Sequence, residues 1–308
     1  RRQRQMCIRD SYTTVGDANA PPVLMVMGLT GSHRLWGEDL VNGLVDSGYR
    51  VVLFDNRDTG ESARLDELGT PTLWWQLLKN AVGLGVDAPY QLSDMAADGI
   101  AVLDRLGIDR AHIVGASMGG MIAQIIAARH ADRVLSLTSI MSTSGSRRLP
   151  GPHPKVLRHA LFKHRKSFNR EQMINYLVEF WGLTGSPAYP TPIEEKREKV
   201  TSWVDRNFDT AANIRQFAAM ASNGDRTALL GTIEIPALVI HGDEDPLIPV
   251  AGGRHTADSI PNAALHSIPG MGHDLPEQLI PELVGQIAAH SARAQPDTGS
   301  ERKTAEVV

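Results

Sequence analysis

The chain has 308 residues, 42% of them apolar, and a formal net charge of −4. That apolar content supports a sizeable buried core, and the length suggests about two domains, although α/β folds of this size often form one. The mild negative charge argues against a general nucleic-acid or membrane-surface protein. The single cysteine, Cys7, excludes an internal disulfide, and no C-x-x-C or H-x-x-x-H spacing offers a metal site.

The start, "RRQRQMCIRDSYTT", is basic with no apolar segment behind it, so it does not read as a signal peptide. A cytoplasmic location is expected; an upstream leader stays open, because the chain does not begin with Met. "PVLMVMG" (22–28) is the first buried strand. Gly28 lets the following loop approach a substrate closely, and the N–H of Leu29 is a candidate oxyanion donor, with a plain turn as the simpler reading. His33 lies in the same loop and is a candidate to line a pocket. "RVVLFDN" (50–56) is the second strand. Asp55 and Arg57, in "FDNRDTGES", are assigned to a structural loop. Trp74-Trp75 offers an apolar wall or a partner- or membrane-facing patch. Residues 93–107 have helical spacing, with Ser93 as N-cap.

"AHIVGAS" (111–117) is a strand and "MGGMIAQIIAARH" a helix, so Gly115-Ala116-Ser117-Met118-Gly119 forms a strand-to-helix turn. A turn that sharp strains its central residue and needs small neighbours on both sides. It lifts the Ser117 hydroxyl above the carboxyl edge of the sheet, beside the N–H of Met118 at a helix N-terminus. The most apolar stretch, 113–128, is broken by Ser117 and Gln124 and too short for a membrane span. "VLSLTSIMS" (134–142) follows as a strand.

The alternation of strand and helix then lapses between about Gly145 and Gly231, where helices are expected at 155–166, 170–182, 192–206 and 210–223. This reads as a helical insertion forming a lid over Ser117. Trp181, Trp203, Phe180, Phe217, Tyr176 and Met220 are candidates to line an acyl pocket, or to pack the lid onto the body. From Arg147 to Arg170 there are eight Lys/Arg and no Asp/Glu. Such a run is usually a solvated face; attraction of anionic lipid or an acidic substrate is the weaker reading.

"PALVIHG" (236–242) and "ALHSIPG" (264–270) resume the strands, and 276–290 is a helix. A serine needs a base, and the base an orienting acid. Of eleven histidines, His273, just after the last strand, lies on the carboxyl edge. His130, His153, His159 and His164 fit solvated positions, His112 the far edge, and His241 a turn-packing role. Asp243 and Asp245 compete for the acid; Pro246 and Pro249 stiffen the loop around Asp245, which is favoured, with Asp243 shaping the loop. Asp274 points away if His273 faces the site. From about Ala292 the tail is polar and aperiodic, and is expected to be loose.

The expected fold is α/β: a mostly parallel central sheet flanked by helices, with a helical lid. The expected divisions are a core in two parts, 1–144 and 232–291, a cap at 145–231, and a flexible tail at 292–308. The segments "VLMVMGLTGS", "FDNRDTGES", "HIVGASMGGMIAQIIAARHADRVLSLT" and "VIHGDEDPLIP…GMGHDLP" together resemble the α/β-hydrolase superfamily. Within it they are most similar to serine carboxylesterases of the aclacinomycin methylesterase type and related bacterial esterase/lipases. The likeness covers about 6–143 and 232–290 well and the insertion poorly. It implies Ser117 as nucleophile, His273 as base, Asp245 as acid, and Leu29 and Met118 as oxyanion donors, with no cofactor and no metal. Many relatives have His-Gly in the oxyanion loop where this chain has Met27-Gly28. Ser117 excludes the dehalogenases and epoxide hydrolases, whose nucleophile is Asp. The expected reaction is hydrolysis of small to medium, apolar esters. The alternatives are a thioesterase, lactonase, C–C hydrolase or perhydrolase on the same triad, or a ligand receptor that keeps the fold without turnover.

Overall fold

Strands that read as unbroken apolar runs are the ones a sheet covered on both faces requires. In the computed structural model, which describes residues 12–72, 75, 79, 86–162, 169–206 and 209–294, the six expected strands and one further edge strand assemble into one seven-stranded sheet. The strands are β1 (Tyr12–Val15), β2 (Pro22–Val26), β3 (Arg50–Phe54), β4 (Ala111–Ala116), β5 (Val134–Ile140), β6 (Ala237–Gly242) and β7 (Ala264–Ile268). Their order is β1-β3-β2-β4-β5-β6-β7, with β1 antiparallel to β3 and the rest parallel.

Successive side chains leave a strand on opposite faces, so each strand feeds two cores. Leu24, Val26, Val52, Ile113 and Leu137 face one core, closed by α2 (Leu92–Arg105) and α3 (Met118–Arg129). Val23, Met25, Val51, Val114 and Ile140 face the other, closed by α1 (Glu38–Asp46) and α10 (Ile280–Arg293). Helix α3 is buried almost all round. Its one internal polar side chain, Gln124, is held between Ser139 Oγ at 3.2 Å and Arg226 Nε at 3.3 Å.

From β2 the chain steps to β3 on one side, and from β4 it steps to β5 on the other. The strand order therefore reverses between β2 and β4, and the crevice beyond their carboxyl ends is where ligands bind in open α/β sheets. Gly28 and Ser117 both sit there.

Between β5 and β6 run α4 (Pro154–Phe162), α5 (Arg170–Thr184), α6 (Ile193–Asp205), α7 (Thr210–Ser222) and the short α8 (Thr227–Leu230). Met173, Ile174, Leu177, Val178 and Val200 give this insertion a small core of its own. α9 (Val250–Ser259) lies between β6 and β7.

The structure differs from the sequence reading at several points. Helix α2 begins at Leu92 rather than after Ser93; its N-cap is Gln91, whose backbone N–H is taken by the Asp94 carboxylate at 2.7 Å. His159 is buried rather than solvated, stacked on the Tyr176 ring at 4.7 Å, because α4 packs on α5. β7 stops at Ile268, and the helix expected at 276–290 is a single 3-10 turn followed by α10, which runs to Arg293. Trp75 is 45% exposed. Trp74, His164, part of the 147–170 basic stretch and the tail from 295 lie outside the described residues. Among the described residues no helix is long and apolar enough to cross a membrane, and no group of three or more His, Cys, Asp or Glu is arranged to hold a metal.

Candidate active site

Ser117 stands between β4 and α3 with φ 56° and ψ −121°. For a residue with a Cβ this is a strained backbone, costing about 1–3 kcal/mol, that persists only when the surroundings hold it. Its N–H donates to the Ile140 carbonyl at 2.9 Å, and its own carbonyl accepts from Ser142 Oγ at 2.8 Å and Gly120 N at 3.0 Å. Gly119 is required here: a Cβ on it would lie 2.0 Å from the Val26 carbonyl oxygen, so only glycine lets α3 start against β2. Gly28 faces it less tightly from the other side, with a Cβ position 3.1 Å from Ser117 Cβ.

His273 Nε2 lies 3.0 Å from Ser117 Oγ, and His273 Nδ1 lies 2.6 Å from Asp245 Oδ2. Three segments 28 to 156 residues apart thus meet in one hydrogen-bonded chain. The loop after β6 explains why Asp245 reaches and Asp243 does not. Asp245 Oδ1 is occupied by the N–H groups of Leu247 at 2.9 Å and Ile248 at 2.8 Å, which aims Oδ2 at the imidazole. Asp243 instead takes the N–H of Gly270 at 2.7 Å and ties the two loops together. Burial would raise the Asp245 carboxyl. The neighbouring His273, hydrogen bonds from His241 and His273, and the Ile248 N–H outweigh it and hold the group well below the usual carboxylate range. His241, fully buried, bonds the Ile248 carbonyl at 2.8 Å and stands 3.5 Å from Asp245 Oδ2.

Met118 is the first residue of α3, so its N–H has no partner within the helix, and Leu29 follows Gly28 in the facing loop. Met27, just before Gly28, is buried in the core beneath. His33 is held to Asp55 through its backbone N–H and its Nδ1, both at 2.8 Å. Burial raises the Asp55 carboxyl, but the hydrogen bonds and charge of His33 and the Glu61 N–H bring it below its usual value. Met220 packs with Leu29 against the core. Trp181 and Trp203 pack on the insertion's core, and their indole N–H groups donate to Asp274 Oδ2 at 3.2 Å and the Thr30 carbonyl at 2.8 Å.

Asp274 does turn away from Ser117. It accepts the N–H of Ser186 at 3.0 Å and the Ser186 hydroxyl, while Ser186 Oγ takes the N–H of Gly272 at 2.8 Å. The N–H of His273 itself donates to the Thr184 carbonyl at 2.7 Å. Burial pushes the Asp274 carboxyl up despite the Ser186 and Trp181 hydrogen bonds. Sequence reasoning missed this bracket, and it missed Gln216 on α7, which holds the Leu29 loop. Neither stands in a motif; Gln216 falls on the buried stripe of α7 with Ala212, Arg215 and Ala219, where its polarity hides it.

A family model described as alpha/beta hydrolase fold matches residues 21–278. The chain is similar to rhodomycin D methylesterase DauP of Streptomyces sp., at 30% identity over 94% of this chain and 98% of the relative. It is 29% identical to a 2-hydroxy-6-oxononadienedioate/2-hydroxy-6-oxononatrienedioate hydrolase of Burkholderia vietnamiensis, over 86% of this chain and 85% of that one. Among solved structures it shares its fold with the esterase RhEst1 of Rhodococcus sp. ECU1013. The TM-score is 0.71 at 19% identity, covering 92% of this chain and 94% of the other.

Proposed function

The chain belongs to the α/β-hydrolase fold family, and on that premise we propose that it is a serine hydrolase of carboxylic esters, working through an acyl-enzyme. The observation that carries this reading is the Ser117–His273–Asp245 chain at 3.0 and 2.6 Å, standing over the sheet's switch point. Ser117 Oγ attacks the ester carbonyl carbon while His273 Nε2 takes its proton. The carbonyl oxygen becomes an oxyanion held by the N–H groups of Leu29 and Met118. His273 then passes the proton to the leaving alcohol as the C–O bond breaks, and water, deprotonated by the same imidazole, releases the acid. Asp245 keeps the proton on Nδ1 and stabilises the imidazolium that forms.

The helices of 145–231 are read as the cap over this centre, with 1–144 and 232–291 as the body. The substrate is taken to be a small to medium, apolar ester. The likeness to a protein named as a methylesterase favours an ester over a thioester or lactone. C–C hydrolysis on the same residues is the second reading, favoured by the likeness to the oxononadienedioate hydrolase.

p-Nitrophenyl esters of graded chain length test this directly. The wild type should show a burst of p-nitrophenol, and a fluorophosphonate should add to Ser117. Ser117→Ala should lower turnover by at least about 10⁴-fold while the protein stays folded. A Ser117→Ala protein as active as the wild type refutes the assignment; binding of esters without a burst supports a receptor instead.

A further inference from the structure

The two peptides that flank Ser117 are both held by the end of β5. The Ala116–Ser117 peptide is held through the Ser117 N–H, which donates to the Ile140 carbonyl at 2.9 Å. The Ser117–Met118 peptide is held through the Ser117 carbonyl, which accepts the hydroxyl of Ser142 at 2.8 Å. Ser142 is buried, and it follows Met141, whose N–H donates to the Ile240 carbonyl at 2.8 Å. The segment that carries the hydroxyl is therefore itself tied to β6. Room for the side chain comes from Gly120: a Cβ there would lie 2.6 Å from Ser142 Cβ and 2.8 Å from its Oγ. The last glycine of "GASMGG" thus has a reason that the turn at Ser117 does not give it.

The bond from Ser142 reaches the chemistry through a single peptide. A trans peptide unit is planar, so the Ser117 carbonyl and the Met118 N–H share one rigid plane and point in opposite directions. Whatever aims the carbonyl aims the N–H. The carbonyl also accepts from Gly120 N at 3.0 Å and Met121 N at 3.3 Å, but both donors lie in the first turn of α3 and move with it. Of the three partners, Ser142 is the one that refers this peptide to the sheet. Ser117 is strained, so its own backbone preference does not hold the flanking peptides in place; the neighbours must. A hydroxyl donating to the carbonyl oxygen also polarises the peptide and strengthens its N–H as a donor.

We propose that Ser142 is a positioning residue for the oxyanion hole: by donating to the Ser117 carbonyl it fixes the Ser117–Met118 peptide, and with it the Met118 N–H, against the sheet. The inference rests on the reading of Met118 as an oxyanion donor in an ester hydrolase. The Ser142 hydroxyl is engaged by a backbone carbonyl, so the residue acts through that peptide rather than on substrate.

The test compares wild type, Ser142→Ala and Ser142→Cys with a p-nitrophenyl ester and an aryl trifluoromethyl ketone, whose adduct with Ser117 carries an oxyanion as the ester's tetrahedral intermediate does. A burst and Ser117 labelling by a fluorophosphonate in the wild type establish the parent reading, and their absence overturns that reading and this inference together. Given a working wild type, Ser142→Ala should lower kcat by about 5- to 30-fold, less than the loss of a whole oxyanion donor, with KM changed by less than about threefold. Affinity for the trifluoromethyl ketone should fall by a similar factor, because the adduct uses the same N–H groups. A role in stability alone would lower the unfolding midpoint and leave kcat and ketone affinity unchanged. Should Ser142→Ala not fold, Ser142→Cys decides in the same way: its thiol is a weak donor, and a parallel loss of about two- to tenfold is expected. Unchanged kcat in the folded variant, a loss confined to KM, or a fall in kcat with unchanged ketone affinity overturns the inference.

Discussion

Replacing Arg215 by Met removes one half of an ion pair that water scarcely reaches. Arg215 is 1% exposed and the Asp58 side chain not at all. Two guanidinium nitrogens contact the Asp58 carboxylate at 2.9 and 2.7 Å, and a further contact reaches Asp66 at 2.8 Å. After the substitution Asp58 keeps the Tyr90 hydroxyl at 2.8 Å and the Leu65 N–H at 2.9 Å but has lost its cation. Breaking a buried pair in this way costs about 3–5 kcal/mol. Unfolding entropy near 2.1 cal/mol/K per residue gives a chain of 308 residues about 0.6 kcal/mol/K, so the midpoint should fall by roughly 5–8 °C. The charge left behind can be removed with Asp58→Asn. Asn tolerates the φ of 64° at this position and still accepts from Leu65, while the Tyr90 hydroxyl can accept from its amide. The double variant Arg215→Met/Asp58→Asn should therefore be more stable than Arg215→Met alone, by about 1–3 kcal/mol. Calorimetry and urea unfolding of both singles and the double measure this. A double variant no more stable than Arg215→Met would refute the idea that an orphaned charge, rather than lost packing, sets the cost.

Burial, then the charges of His290 and Arg110, pushes His112 down to about 4. Folded His112 stays neutral where an unfolded imidazole, with a pKa of about 6.5, takes up a proton, so its contribution is complete above about pH 6.5 and is lost as pH falls toward 4. The loss is about 2 kcal/mol by pH 5. Urea midpoints at pH 7 and pH 5 should drop more for the wild type than for His112→Phe; equal drops would count against this account. Asp274→Asn turns an amide donor toward one of the three donors its carboxylate now accepts from, and should destabilise by about 1–3 kcal/mol. Because the same bracket holds His273, kcat should fall about tenfold with little change in KM, as measured on an activated ester; an unchanged kcat would detach the bracket from the reaction.

The strands buried on both faces were legible because such positions admit little but Val, Ile, Leu, Met and Ala. "YTTV" of β1 was not, since an antiparallel edge strand with two exposed threonines carries no apolar run. Helix α1 was passed over as well. Its buried Leu40, Val41 and Leu44 follow directly on the Gly28 loop and are interrupted by Gly43. The region around Ser117 was legible because a backbone pressed against β2 tolerates only glycine at position 119, and that requirement is written in the sequence. His273 and Asp245 were legible through their places just beyond β7 and β6. Asp245 stood out from Asp243 only by its prolines, whereas the deciding contacts, two backbone N–H groups on Oδ1, belong to the folded loop. Arg215 and Gln216 left no signal. A polar residue on an alanine-rich helix looks solvent-facing until the body of the protein is placed against it.

That placement changes what the insertion is for. Thr184 and Ser186, at the end of α5, hold the backbone of Gly272 and His273, and Asp274 returns the contact to Trp181 and Ser186. At the opposite side Trp203 on α6 and Gln216 on α7 hold the two polar groups of Thr30. The residue proposed as base and the loop proposed to bind the oxyanion are thus both suspended from the helices that lie over them. A rigid swing of α5 to α7 away from the body would break at least five of these hydrogen bonds at once and release both halves of the centre. Such an opening is expensive, because each buried donor or acceptor left without a partner costs about 1–3 kcal/mol. Substitutions in the α5–α7 part of the insertion should accordingly change kcat as readily as substrate preference, which a hinged lid touching only bound substrate would not do.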